Sequence, residues 1–181
     1  GQPCAEVTLA LREQVTRRSF VRSTNLTYRD ELYCSSLFGD FQEPVNPADY
    51  TDGRLWLMNG NSVSPEHPLL VYRLTEGDKG AISTLDGDHL TSTLGLIAPD
   101  IDLRLQVGGH WIDQRGKVND TPVPGFALAA AQVASQRYPF TLYSGFGPGQ
   151  AWQLMRSEYP ALFGLLLFLG ASAGAACYLS L

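Results

Sequence analysis

Two cysteines carry the chemistry that this sequence can do. Cys4 stands near the N-terminus, and Cys34 opens the run Tyr33-Cys34-Ser35-Ser36-Leu37-Phe38-Gly39. The third cysteine, Cys177, lies deep in an apolar tail, out of reach of the other two. Thiols pair lastingly only where the compartment is oxidising, so this pair points to an extracytoplasmic domain. The residues alone leave three outcomes open: a disulfide worked as a redox switch, a disulfide that is only a staple, or two separate thiols. A bond of either kind needs Cα atoms within ~4.4–6.8 Å. It would close a loop of about 30 residues, which chain entropy values at roughly 3.5 kcal/mol. That is large against the ~5–15 kcal/mol stability of an ordinary domain. A thiol at a helix N-terminus has its thiolate favoured by the local amides, which makes Cys4 the nucleophile in exchange.

The elements that must hold these groups are readable from periodicity. Pro3 to about Ser19 reads as a helix, with Pro3 suited to its first turn and Val7, Ala10, Leu11 and Val15 near helical spacing. If this helix rises from an upstream membrane span, freeing it from the following strands turns redox state into a mechanical signal. Phe20 to Thr27 and Glu31 to Leu37 read as a strand pair across Tyr28-Arg29-Asp30, and Pro44 to Gly53 as a loop. Further strands are expected at 54–58, 69–75 and 81–85, with a short helical piece from Asp86-Gly87-Asp88 to near Gly95. Ile101 to Val107 and His110 to Asp113 flank Gly108-Gly109, a hairpin connection. Asn119 to Gly125 reads as a loop, the Ala-rich stretch Phe126 to Arg137 as a helix, and Tyr138 to Phe146 as the last strand. The expected class is α/β: an N-terminal helix packed on a mostly antiparallel PAS-like or Cache-like sheet, followed by one C-terminal transmembrane helix.

The tail supports that last element. Glu158 is the final charged residue, and Ala161 to Leu181 is long enough to cross a ~30 Å hydrocarbon core as a helix. Trp152, Tyr159 and Tyr178 sit where interfacial aromatics belong. Gly170 and Gly174 make a small-xxx-small pair that suits close helix packing, and hence a homodimer through the membrane. The chain is expected to be a piece of a longer protein, cut before any cytoplasmic flank.

The charge of −5 sits wholly outside the tail, and an acidic domain without a basic face argues against nucleic acid as a partner. Arg12, Arg17, Arg18 and Arg22 read as a solvated helix face, with Glu13 paired to Arg17. His67, His89 and His110 match no metal spacing and read as loop histidines. Asp86, Asp88, Asp100 and Asp102 are turn formers, and Gly145 to Gly149 lacks the Lys-Ser/Thr of a phosphate loop.

The run Tyr33-Cys34-Ser35-Ser36, about thirty residues after another cysteine and followed by a membrane helix, resembles the CSS-motif domain. That domain precedes the EAL catalytic domain in bacterial inner-membrane cyclic-di-GMP phosphodiesterases. The resemblance implies residues 1–150 as a periplasmic redox-sensing domain, 151–160 as a juxtamembrane linker and 161–181 as the transmembrane helix. It implies a Cys4–Cys34 disulfide, with Ser35 and Ser36 completing the motif. The oxidised form would hold the phosphodiesterase low, and reduction would activate it and open it to proteolysis. The implied partners are the periplasmic thiol oxidase and reductase system and periplasmic proteases. No cofactor is implied for this segment and no catalytic residue is found in it. A divalent metal, Mg or Mn, is implied for the EAL domain, whose Glu-Ala-Leu signature this chain lacks. The rival expectation is a Cache-like small-ligand sensor in which the disulfide is only structural. A third is an anchored exported protein without signalling.

Overall fold

Helix α1 (Cys4–Thr16) puts Cys4, Val7 and Leu11 on one face, as their spacing demands. It ends earlier than expected, because the N–H groups of Arg17 and Arg18 turn back onto the carbonyls of Glu13 and Val15. The computed structural model describes residues 2–62 and 64–179.

Six strands follow: β1 (Val21–Tyr28), β2 (Glu31–Ser35), β3 (Gly39–Pro44), β4 (Leu55–Met58), β5 (Leu69–Glu76) and β6 (Lys79–Asp86). They form one antiparallel sheet in the order β3-β2-β1-β6-β5-β4. The β1–β2 hairpin turns on Arg29 and Asp30, both at positive φ (50° and 58°), which matches the right-handed twist of the strands it joins. The loop expected over Pro44 to Gly53 holds one 3₁₀ turn, Pro47–Asp49, capped by the Asn46 side chain accepting from the Ala48 N–H. Helix α2 (Gly87–Ile97) is capped by Asp86, which accepts from the N–H of Asp88.

A second antiparallel sheet holds β7 (Asp102–Val107), β8 (His110–Asp113), β9 (Val118–Asn119), β10 (Leu128–Ala134) and β11 (Thr141–Phe146), ordered β10-β11-β7-β8-β9. The expected Ala-rich helix over Phe126 to Arg137 is therefore wrong: its centre is the edge strand β10. Alanine gains only a few tenths of a kcal/mol to about 1 kcal/mol per residue in a helix. Here the segment instead pairs with β11, from Leu128↔Phe146 to Ala134↔Thr141. Phe126 anchors its start, lying where a Cβ on Gly145 would otherwise stand and under the Arg104 guanidinium at 4.2 Å.

The faces of the first sheet are used differently. Leu55 and Leu57 of β4 join Leu94 of α2 and Leu103, Leu105, Val107, Ile112 and Val118 of the second sheet in one shared core. The same face, further along, carries Leu26 and Cys34 beneath α1. The opposite face carries Tyr50, Leu69, Val71 and Ile82.

Helix α3 (Gln150–Glu158) occupies the stretch assigned to the linker, and α4 (Pro160–Leu179) follows directly. Among the described residues α4 is the one helix long and apolar enough to cross a membrane. Ser180 and Leu181, the last positions of the expected span, lie outside the described residues, as does Gly1.

Candidate functional site

Cys4 opens α1 and Cys34 sits near the end of β2, and the two are bonded, with an S–S distance of 1.96 Å and Cα atoms 5.2 Å apart. The bond lies in an apolar patch of Val7, Leu11, Leu26 and Tyr33. Cys34 is fully buried, whereas Cys4 keeps 8% of its surface. Cys177 is exposed on α4, remote in sequence and outside this bond. An incoming thiolate would therefore reach Cys4 before Cys34, and attack there would displace the Cys34 thiolate. Oxidation would run the same path backwards, with a Cys4 thiolate favoured by the helix N-terminus attacking the oxidant. In a Cys34→Ser variant a small disulfide reagent should cap Cys4 readily. In Cys4→Ser, capping of Cys34 should be at least about tenfold slower, as read by mass spectrometry over time. Equal rates would contradict this order of attack.

Two polar groups beside the bond were not legible as partners in the sequence. The Thr8 hydroxyl donates to the Cys4 carbonyl (2.7 Å) and lies 3.3 Å from the Cys4 sulfur and 3.7 Å from that of Cys34. Arg12, expected on a solvated face, donates through Nε to the Ser36 carbonyl at 3.0 Å. It is a second tie between α1 and the motif, a noncovalent one that a reductant does not itself cut. An arginine side chain spanning from helix to strand has no short-range sequence signature.

The two serines hold the strand end on which Cys34 depends. Ser35 points to the opposite face, and its Oγ accepts from the N–H groups of Leu37 (3.1 Å) and Phe38 (3.4 Å), closing the β2–β3 turn. Ser36 pairs with Thr24 of β1 twice: its N–H donates to the Thr24 carbonyl (2.9 Å), and its Oγ accepts from the Thr24 N–H (3.0 Å). A hydroxyl at either place satisfies a backbone donor that alanine would leave unpaired, at about 1 kcal/mol each.

From the bond to the apolar C-terminal helix the path is continuous. The first sheet meets the second through the shared core, and β11 leads into α3. Gln150 locks that junction: its Oε1 accepts from the Gly147 N–H (2.8 Å), and its Nε2 donates to Asp102 and to the Asp100 carbonyl (both 3.3 Å). Trp152 of α3 then meets Phe163 of α4 edge-on at 6.2 Å. Gly170 and Gly174 lie on an open side of α4, with nothing within reach of an added Cβ.

On the far face of the first sheet, burial pushes the Tyr50 phenol up to about 12, with Asp49 and Glu43 adding to the rise and Arg73 opposing it. Arg73 is itself buried, stacked over Tyr50 and bonded to Asp30 and to the Gly53 carbonyl. The folded chain thus keeps a proton that the unfolded chain releases near pH 10. This contribution is complete below about pH 10 and is lost as pH rises towards 12. Denaturant midpoints should fall over that window, and Tyr50→Phe should remove that part of the fall. Each histidine has its own setting: His67 faces Asp88 at 3.5 Å, His110 begins β8, and His89, in α2 rather than a loop, stacks on Phe20.

Helix, antiparallel sheets and apolar C-terminal helix together define an α/β fold. The chain superposes on the extracellular domain of rpHK1S-Z16, assigned as a histidine kinase, with a TM-score of 0.56 over 80% of this chain and 78% of that one. At 12% identity that likeness is one of fold alone. The chain belongs to the CSS-motif family, matching the CSS motif domain associated with EAL over residues 1–159. It is also 29% identical over 188 residues to the probable cyclic di-GMP phosphodiesterase PdeD of Escherichia coli K12. That alignment takes in 94% of this chain but 34% of PdeD, so the chain spans about a third of the relative's length.

Proposed function

We propose that this chain is the periplasmic redox-sensing regulatory segment of an inner-membrane cyclic-di-GMP phosphodiesterase. The observation that carries the reading is a half-protected disulfide joining α1 to β2 in a chain of the CSS-motif family. Two-electron exchange with a periplasmic dithiol converts the Cys4–Cys34 bond into two thiols and the dithiol into its disulfide. The first turn of α1 then loses its covalent tie to the sheet, leaving the Arg12 bond and the contacts of Val7 and Leu11. Local opening of that kind makes backbone available to periplasmic proteases and lets α1 move independently of the sheet. With the bond closed, the EAL domain is held at low activity, and opening it releases the domain. α4 anchors the segment, with residues 1 to about 160 outside the cytoplasm and Gly170 and Gly174 packing two copies together. The divalent metal, Mg or Mn, belongs with the EAL domain. Among the described residues no three Asp, Glu, His or Cys side chains come together to hold one, so no step here runs through it.

The test is thiol trapping with peptide mapping on protein taken from intact cells, paired with turnover of cyclic di-GMP by the full-length protein. The expected result is a linked Cys4–Cys34 peptide that reductant converts to two capped thiols as turnover rises. Permanently capped thiols in wild-type cells would contradict it.

A further inference from the structure

Ser35 lines a cavity of about 620 Å³ on the sheet face opposite the disulfide, roofed by the β2–β3 turn and the segment that leads to β4. That volume is in the range of small-ligand sites. Its floor is apolar, set by Val71, Leu69 and Ile82 with Trp56 and Met58 beside them. Its walls are aromatic: Tyr50 and Trp56 meet edge-on at 5.7 Å, and Phe38 and Phe41 lie 5.0 Å apart. Ser35, Tyr50, Ser64 and Thr84 line it with more than nine-tenths of their surface buried, and the hydroxyls of Tyr50 and Thr84 bond to no described residue while staying accessible from the cavity. Hydroxyls that face a cavity in this way are open to bonds from an occupant or from water.

Charge selects the occupant. Among the described residues lining the cavity the one cationic side chain, Arg22, already faces Asp86 at 3.8 Å. Glu43 and Asp49 also line it, and among the described residues neither meets a cation; Asp49 only accepts from the Asn46 amide at 3.0 Å. Both carboxylates are close enough to Tyr50 to disfavour its phenolate. Two uncompensated carboxylates beside aromatic faces favour a cation, and an apolar floor favours an organic one.

We propose that this cavity binds a small organic amine with an apolar body, its ammonium held between the aromatic faces and the carboxylates of Glu43 and Asp49. This is an input separate from the redox exchange. The two meet at β2, where Cys34 faces α1 and the adjacent Ser35 shapes the turn that roofs the cavity. An occupant that steadies this turn also steadies the strand end that bears the disulfide.

Calorimetry on the full chain in neutral-lipid nanodiscs tests it, with phenethylamine as probe and 2-phenylethanol and phenylacetate as matched neutral and anionic controls. The oxidised protein suffices and no phosphodiesterase assay enters, so failure here leaves the redox reading standing. Phenethylamine is expected to bind at least about tenfold more tightly than either control. The exposed pair Glu43→Gln with Asp49→Asn should abolish that preference without lowering the thermal midpoint by more than a few degrees. Three results would each overturn the proposal: no phenethylamine binding up to ~10 mM, equal binding of the neutral alcohol, or a preference that survives the double substitution in a folded protein.

Discussion

Replacing Cys34 by alanine will lower the stability of the domain by roughly 3.5 kcal/mol, the chain-entropy value of a closed loop of about 30 residues. The reasoning separates the covalent term from packing. Cys34 is fully buried, and alanine keeps that position small and apolar, avoiding the buried hydroxyl that serine would bring. What is lost is chiefly the restraint on the unfolded chain and the tie between α1 and β2. Urea denaturation of the wild type with reductant should therefore nearly match the variant without it, and adding reductant to the variant should change little. A variant as stable as the oxidised wild type would mean that the bond restrains nothing. In the full-length protein the same substitution should fix cyclic-di-GMP turnover at the reduced level whatever the redox poise.

Leu57→Ala should produce the other large effect, through a different link in the chain of cause. Leu57 is fully buried in the core that both sheets share, a cluster separate from the one around the disulfide. Truncating a buried leucine costs about 2–5 kcal/mol, and the well-enclosed setting here points to the middle of that range, about 3 kcal/mol. The consequence for signalling is more telling than the cost. The first sheet reaches α3 through this core, so a slack joint should leave disulfide formation intact while flattening the response of phosphodiesterase turnover to reductant. Leu11→Ala, beneath α1, offers the contrast: it should loosen the helix and raise basal turnover. If Leu57→Ala leaves the redox response at full amplitude, the signal does not travel through the sheets.

Local signals carry much of the fold in this sequence. Val7 and Leu11 announce the buried face of α1, and Gly108-Gly109 announces the β7–β8 hairpin, because each depends on residues a few positions apart. Long-range pairing is what escapes. The alanines of β10 favour a helix in isolation, and only the exposed ladder to β11 and the anchoring of Phe126 reverse that preference. Strand β3 is missed for the same reason, since five of its six residues are exposed and show no alternation. The split into two sheets is likewise invisible, because it rests on which faces meet at Leu57 and Ile112. At the candidate site the two cysteines stand out by their type alone, and Cys-Ser-Ser by its adjacency. Thr8 and Arg12 do not, since their roles arise only once α1 is laid across β2. The cavity behind Ser35 is hidden too, being built from segments as far apart as Arg22 and Thr84 that share one sheet face.

The most direct measurement places the full-length protein in membranes across a series of dithiol–disulfide potentials, reading both the linked Cys4–Cys34 peptide and cyclic-di-GMP turnover at each. The expected result is a single transition, in which turnover climbs in step with the fraction of opened bond and Cys34→Ala shows no transition. A bond that opens fully while turnover stays level would contradict the account.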